Sequence, residues 1–244
     1  MSACFVALKD PAADPFSPLD FLCGRGYTRD AALGFLRNNP GFLGRRMSPE
    51  AAADLRAAAA GLEVLLAAED DLPALPGPLT VKRAVPKAGG FEVTDGNSFR
   101  YVPADSVRLA AAWAWDAPAP PLNTSTLAAG LAGGIKASLS GESPREEDAG
   151  PRDTFFRAEL LAGGRRLRFS PEELDFSPLG AEKGPGSLEN FRRLLDRLVA
   201  PAFGAVRSAF FSAFLARRPL AGLKVAGPAA CGADLARLLL LLGK

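Results

Sequence analysis

Three arginines are the residues whose types and spacing could best hold a ligand. Arg157 lies in the alternating segment FFRAELL, and Arg166 and Arg168 lie in the segment RLRF. The turn 162–165 (AGGR) joins the two segments, so we predict a β-hairpin with all three arginines on its polar face. Guanidinium groups on adjacent strands can converge on one phosphate or carboxylate. A solvated polar face is the competing interpretation, and the sequence does not exclude it.

The sequence lacks the residues on which most familiar catalytic sites depend. It contains no histidine, which removes histidine acid–base catalysis, Ser-His-Asp and Cys-His nucleophiles and histidine-ligated zinc. The patterns GxGxxG, GxxxxGK[ST], GxSxG and SxxK are also absent. The acidic run 69–71 is interpreted as a solvated loop, because a cation site needs oxygen ligands that converge from several positions. We therefore assign no catalytic residue, no metal ligand and no cofactor.

Composition limits the classes of protein to which the chain can belong. With 244 residues, 48% of them apolar and 23% charged, it suits one large domain or two small ones with a packed core. The formal net charge of +2 does not favour nucleic acid or a membrane surface as the partner. Positive charge is concentrated in residues 152–218, where 12 basic side chains exceed 8 acidic ones. A protein partner is the remaining expectation.

Cysteine usage and the first residues predict a cytoplasmic location. Cys4, Cys23 and Cys231 are an odd number of cysteines without metal-ligand spacing, so we expect reduced thiols. Met1 is not followed by a basic and then an apolar region, so no signal peptide is predicted. The longest apolar runs fall far short of the roughly 20 residues that span a bilayer, so we expect no membrane association.

Six elements are predicted in the N-terminal quarter of the chain. The apolar run 4–8 predicts a strand, Ser17 begins a helix, and Thr28 caps a second helix. The segment 41–43 can form only a short strand or an extended link. Ser48 followed by Pro49 then opens a third helix, and residues 63–67 predict a last strand. The predicted order is strand, helix, helix, strand, helix, strand.

Residues 4–67 resemble the C-terminal domain of the ribosomal stalk protein in this order of elements and in the spacing of four motifs. The motifs are the segment 26–31 (GYTRDA), Pro40, the segment 47–51 (MSPEA) and the segment 61–64 (GLEV). The resemblance implies the fold of that domain. That family contacts translation factors through a lysine-rich surface around the first glycine, and residues 27–30 here contain no lysine. The resemblance therefore does not carry the ribosomal activity.

A second module with a different pattern follows. Residues 72–90 are rich in proline and glycine, and we predict that they form a linker. Residues 91–102 predict a hairpin. The alternation of residues 107–115 predicts a strand that carries Trp113 and Trp115 on one face, where they fill the core. The interval 117–153, dominated by Pro, Gly and Ser, predicts a mobile insertion between two strands.

Helices are predicted to complete the chain. A capping box predicts one helical turn at 170–173, and Ser187 caps a helix with an apolar stripe. The next helix is predicted from Phe203 to Leu215, and the last covers about 233–242. The stripe of the first long helix consists of Phe191, Leu194, Leu195 and Leu198.

The predicted fold class is α+β. A β-α-α-β-α-β module at 1–71 is followed, after the linker, by an antiparallel, barrel-like β module with C-terminal helices at 91–244. Several strands followed by an amphipathic helix give residues 80–200 an architectural resemblance to a pleckstrin-homology-like barrel.

Three functions agree with these observations. The leading one is a non-enzymatic cytoplasmic protein of two modules that binds or regulates a partner protein, because the usual catalytic parts are missing. The second is an enzyme that works without histidine and uses residues 117–153 as a lid. The third is binding of an anion or of nucleic acid through the arginine-rich region 157–218.

Overall fold

The computed structural model describes residues 2–9, 16–118, 152–220 and 223–243. The strands are β1 (Cys4–Leu8), β2 (Phe42–Met47), β3 (Val64–Ala68), β4 (Pro78–Thr80), β5 (Arg83–Lys87), β6 (Gly90–Thr94), β7 (Phe99–Pro103), β8 (Val107–Pro118), β9 (Arg152–Ala162), β10 (Arg165–Phe169) and β11 (Val206–Arg207). The helices are α1 (Phe16–Gly24), α2 (Arg29–Asn38), α3 (Pro49–Ala58), α4 (Ser187–Val199), α5 (Ala209–Leu215) and α6 (Pro228–Leu242). The α+β class is confirmed.

The first sheet has the strand order β2-β1-β3, with both pairs antiparallel, and it belongs to the predicted β-α-α-β-α-β module. The predicted caps form, since the Thr28 and Ser48 hydroxyls accept hydrogen bonds from the backbone three residues later. Alternate residues of β1 face opposite sides. Val6 packs with α3, whereas Phe5 packs in a cluster that α6 completes. Helices therefore cover both faces of this small sheet.

The second sheet has the strand order β11-β8-β9-β10-β4. Its centre is the antiparallel set β8, β9 and β10, while β4 and β11 pair in parallel at the two edges. The predicted barrel-like, antiparallel module is corrected in two respects, because the sheets are open and two of the pairs are parallel. The alternation that predicts a hairpin identifies only strand pairs that are close in sequence. The parallel partners β4 and β11 come from distant segments of the chain.

The third sheet is the meander β5-β6-β7, which contains the predicted hairpin. Asp95 shapes its turn by accepting hydrogen bonds from the backbone of Asn97 and Ser98. The predicted linker 72–90 contains β4 and β5 and reaches the first residue of β6. Pro78 is the first residue of β4, and β5 is an edge strand. Proline is tolerated at the start of a strand and in an edge strand.

Helices cover both faces of the second sheet. One face carries Leu160 and packs on α4 and α5. The other face carries the predicted tryptophan pair and packs on α6, which lies between the first and second sheets. Trp113 and Trp115 are 1% and 8% exposed, so the prediction that they fill the core is confirmed.

The C-terminal helices depart from their prediction in several places. Ser187 is the first residue of α4 and does not cap it, and α6 begins at Pro228 rather than near 233. The apolar stripe of α4 is buried as predicted. The predicted helix from Phe203 is wrong, because Ser208 caps α5 and the helix begins only at Ala209. The preceding residues form a turn and then β11, which leaves the Phe203 side chain 93% exposed. The helical turn predicted at 170–173 is wrong, because residues 171–173 form a turn that is not helical.

The predicted insertion 117–153 lies mostly outside the described residues. Its ends, 117–118 and 152–153, continue β8 and β9 and pair with each other in the antiparallel register of that hairpin. The possible lid of the enzyme hypothesis falls on the same undescribed residues.

Candidate ligand-binding site

The β9–β10 hairpin brings the three predicted arginines onto one face of the second sheet. Arg157 lies opposite Trp113 of β8, and Arg168 of β10 lies opposite Glu159 of β9. Strand alternation places Arg166 on the same side as Arg168. This is the face on which α6 packs. The three arginines share one face as predicted, but the prediction that this face is polar is wrong, because it also carries Trp113 and packs on α6. The ligand-binding role stays a prediction.

Glu159 is a residue that the sequence interpretation missed. It is 0% exposed, and its carboxylate accepts hydrogen bonds from Arg166 and Arg168 of β10. The distance is 3.0 Å from Arg166 Nη2 and 2.9 Å from Arg168 Nε, and Arg166 Nε donates to the second oxygen. Two arginines are thus ion-paired inside the fold. The alternation of β9 was the available signal, because it places Glu159 on the same face as Arg157.

Arg157 differs from the other two arginines because it has no carboxylate partner among the described residues. Its guanidinium carbon lies 5.0 Å from the centroid of the Trp115 ring, a cation–π contact. Its Nε atom is buried and has no hydrogen-bond partner in the described part of the chain. The Trp115 ring also stacks on the Phe155 ring, with 6.0 Å between the ring centroids. The aromatic pair therefore holds Arg157 in place without neutralising it.

The charges of this cluster do not cancel. Arg166 and Arg168 share the single carboxylate of Glu159, and Arg157 has no carboxylate partner among the described residues. Burial lowers the pKa of Arg157, and the charge of Arg168 lowers it further. Arginine nevertheless keeps its proton in proteins, so Arg157 carries its positive charge in this half-buried position. A carboxylate or phosphate at the solvent-facing part of the Arg157 guanidinium group would supply the missing counter-charge.

Cys231 of α6 lies near the cluster but is not suited to covalent chemistry. Burial raises the pKa of its thiol to about 12, although the charge of Arg157 acts in the opposite direction. The thiolate is the nucleophilic form of cysteine, so this thiol is inert near neutral pH. Its Sγ atom lies 3.5 Å from the carbonyl oxygen of Gly227. The side chain packs as part of the core beside β8.

The remaining arginines of the region 157–218 lie mostly elsewhere. Those of α4 belong to the helix that covers the opposite face of the second sheet. Glu189 accepts from Arg192, Arg193 and Arg217, and Glu182 pairs with Arg197. The sheet thus separates this group from Arg157, and acidic side chains already pair with it.

Acidic side chains near the first sheet are also engaged within the protein. Glu69, the first residue of the predicted solvated acidic run, accepts two hydrogen bonds from Arg45 and one from the backbone of Arg46. In the described parts of the chain, no group of three or more His, Cys, Asp or Glu side chains is placed to hold a metal ion. None of the helices described is long and apolar enough for a membrane crossing.

Comparisons with protein-family models, with curated proteins and with solved structures found no match to this chain. The resemblances to the stalk-protein domain and to a pleckstrin-homology-like barrel stay predictions.

Proposed function

We propose that this protein is a non-enzymatic cytoplasmic protein that binds an acidic segment of a partner protein through Arg157, with Arg168 contributing charge beside it. The observation that carries the proposal is the state of Arg157. It is half-buried and held against Trp115, and its buried Nε lacks an acceptor among the described residues. Buried polar atoms in folded proteins nearly always have a hydrogen-bond partner, so the state of Arg157 is unusual. A role in binding a ligand is one explanation for it.

The pairing of Glu159 supports the same proposal. Its carboxylate orders Arg166 and Arg168, so those two side chains form a preformed wall of the site. A preformed site loses less conformational entropy when a ligand binds. One exposed carboxylate of a peptide is enough to complete the coordination of Arg157, because a guanidinium group binds a carboxylate with two parallel hydrogen bonds.

A protein is favoured over nucleic acid for two reasons. Affinity for nucleic acid grows with the number of phosphates that the protein neutralises, and the arginines of α4 are already paired on the other side of the sheet. Bases also need exposed aromatic rings on which to stack, whereas Trp115 is 8% exposed and lies against Phe155 and Arg157.

A cytoplasmic location is supported by the state of the thiols. Cys4, Cys23 and Cys231 are all free in the structure. Free thiols suit a reducing compartment.

The proposal is tested with two labelled peptides and one oligonucleotide. The first peptide alternates Glu and Ser, the second has Gln in place of Glu, and the oligonucleotide is oligothymidylate of the same length. We expect only the Glu peptide to bind to the full chain. Arg157→Gln should weaken that binding about tenfold or more, since a hydrogen bond to a charged group contributes about 1.5–3 kcal/mol. Arg157→Lys should restore part of the affinity, because it keeps the charge but not the planar fork.

The matched control is Arg56→Gln, which removes an equal charge from the exposed surface of α3. It should bind the Glu peptide as the unmodified protein does. Equal binding of the Glu and Gln peptides, or no loss with Arg157→Gln, would refute the proposal. Tighter binding of oligothymidylate than of the Glu peptide, lost with Arg157→Gln, would replace it with the nucleic-acid alternative.

A further inference from the structure

Phe203 is the most exposed large apolar side chain of the described residues, at 93%. It lies in the turn between α4 and β11, next to Ala202, which is 2% exposed. Single apolar residues on a surface are common, but an aromatic side chain that projects beside a cleft is typical of an interface anchor. The turn Pro201–Ala205 holds the backbone through hydrogen bonds from Ala202 N to Val199 O and from Ala205 N to Ala202 O. The projecting ring is therefore presented on an ordered turn.

Phe203 forms one wall of an open cleft of about 470 Å³. The start of β8, the turn that carries Phe203 and the last turn of α6 line the rest of it. Most of the lining is apolar, and it includes Val107, Ala202 and Leu242. A cavity of this size is within the range that accepts a small ligand, so an aromatic side chain from another molecule fits easily.

Two opposite charges lie in the lining of the same cleft. Asp105 and Arg108 are both exposed. No ion pair joins them to each other or to other described residues, although Arg108 Nη2 donates a hydrogen bond to Leu242 O at 3.3 Å. One surface thus offers a projecting aromatic ring, an apolar cleft that can receive such a ring, one free acid and one free base.

We propose that this surface is a two-fold interface with a second copy of the chain. In a two-fold dimer the same patch of each copy forms both sides of the interface. A side chain that projects from the patch must therefore fit a recess in the same patch of the other copy. Phe203 of each copy enters the cleft of the other. Asp105 of each copy faces Arg108 of the other, which gives two equivalent ion pairs at the rim. This charge complementarity within one patch is what favours a second copy over an unrelated partner.

Arg157 lies opposite Trp113, six residues along β8 from Val107 of the cleft, or about 20 Å at 3.3 Å per residue, so the dimer and the acidic-peptide site are independent. Each aromatic side chain buries about 150–250 Å². The two rings with the lining of both clefts bury well under about 1,000 Å², which is the size of a weak, transient contact. We therefore expect a reversible dimer with a dissociation constant of about micromolar magnitude.

The test is the molar mass of the full chain by sedimentation velocity, from about 1 to 200 µM, a range that spans micromolar dissociation. We expect a concentration-dependent dimer. Phe203→Ser should raise the dissociation constant about 30-fold or more, the effect of losing an interface hot spot. Phe99→Ser is the matched control, because Phe99 is 70% exposed on β7 and does not line the cleft. It should dimerise as the unmodified protein does.

Exchanging the charges of Asp105 and Arg108 distinguishes a two-fold dimer from any other mode of association. Asp105→Arg alone and Arg108→Asp alone each place like charges opposite one another, so each should weaken the dimer. The double variant restores two opposite-charge pairs and should recover most of the affinity. A monomer at every concentration, a dimer that Phe203→Ser leaves unchanged, or a double variant as weak as the single ones would each overturn the proposal. Circular dichroism and thermal unfolding confirm that each variant is folded.

Discussion

The indole Nε1 of Trp113 donates a hydrogen bond of 2.8 Å to the Asp234 carboxylate, which joins β8 to α6. The other carboxylate oxygen accepts from Arg237 Nε and Nη2, at 3.0 and 2.6 Å. Arg237 Nη1 in turn donates to the carbonyl oxygen of Leu8 in β1, at 2.9 Å. All three side chains are buried. A continuous polar chain therefore links the second sheet to the first through α6.

We predict that Arg237→Ala destabilises the whole protein. The change leaves the Asp234 carboxylate buried without its cation, and breaking a buried ion pair in this way costs about 3–5 kcal/mol. Urea unfolding followed by tryptophan fluorescence measures the loss. Arg56→Ala, on the exposed face of α3, should change the free energy of unfolding by less than about 0.5 kcal/mol. A loss for Arg237→Ala as small as that of the control would mean that the ion pair is solvated.

The same network predicts single-step unfolding. Because the polar chain joins both sheets to α6, we expect the fluorescence of the tryptophans in the second sheet and far-UV circular dichroism to report one coincident transition. Two separate transitions in the unmodified protein would show that the N-terminal module unfolds on its own.

Gly41 should not tolerate alanine. Its φ of +79° is unfavourable for other residues, and a Cβ there would lie 2.2 Å from Arg237 Nε. Gly26→Ala provides the matched control, since its φ is +93° but nothing lies within 4 Å of the added carbon. Backbone strain alone should cost about 1 kcal/mol at Gly26, and Gly41→Ala should cost clearly more in the same urea assay. Equal losses would mean that Arg237 moves aside freely.

Substitutions of Arg166 and Arg157 should differ in their effect on the free energy of unfolding. Arg166→Ala removes one of the two cations that hold the fully buried Glu159, so we expect a loss of about 3 kcal/mol in the free energy of unfolding. Arg157→Gln leaves no carboxylate unpaired, so we expect its stability to change by less than about 1 kcal/mol. Urea unfolding of both variants checks the difference. A large loss with Arg157→Gln would indicate a structural role for that side chain.

Cys231 should be the slowest of the three thiols to react. It is buried with a pKa raised to about 12, whereas Cys4 and Cys23 are partly exposed. Alkylation with iodoacetamide near pH 8, followed by mass spectrometry, should therefore label Cys4 and Cys23 first. Labelling of Cys231 at the same rate as the other two would show that this part of α6 opens readily.

The same thiol predicts a loss of stability at alkaline pH. The folded protein keeps the Cys231 proton to about pH 12, while the unfolded chain releases it near pH 8.5. The folded state therefore binds more protons in this window, and stability falls as pH rises by up to about 1.4 kcal/mol per pH unit. Cys231→Ala should remove that contribution, so its unfolding free energy should fall less steeply than that of the unmodified protein. Parallel slopes above pH 9 would contradict the assignment.

Local patterns in the sequence determined the elements and many of their faces. These patterns act over a few residues, so they can be recognised without knowledge of the fold. They include the caps at Thr28 and Ser48, the period of two in β8 and the apolar stripe of α4. The same alternation correctly placed Arg157, Arg166 and Arg168 on one face. Where a pattern was extended across a break, as in the helix predicted from Phe203, it was wrong because the cap at Ser208 and the pairing of β11 with β8 outweigh apolar spacing.

Only the tertiary structure decided which charges are paired. Glu159 meets Arg166 and Arg168 because the register of β9 and β10 sets Arg168 opposite Glu159 and Arg166 on the same face two residues away. Arg237 reaches Leu8, which is 229 positions away in the chain, because α6 lies between two sheets. Such contacts depend on how distant segments pack, and no short-range pattern encodes them. The sequence thus determined that three arginines share a surface, and the packing decided that Arg157 alone among them was left without a carboxylate.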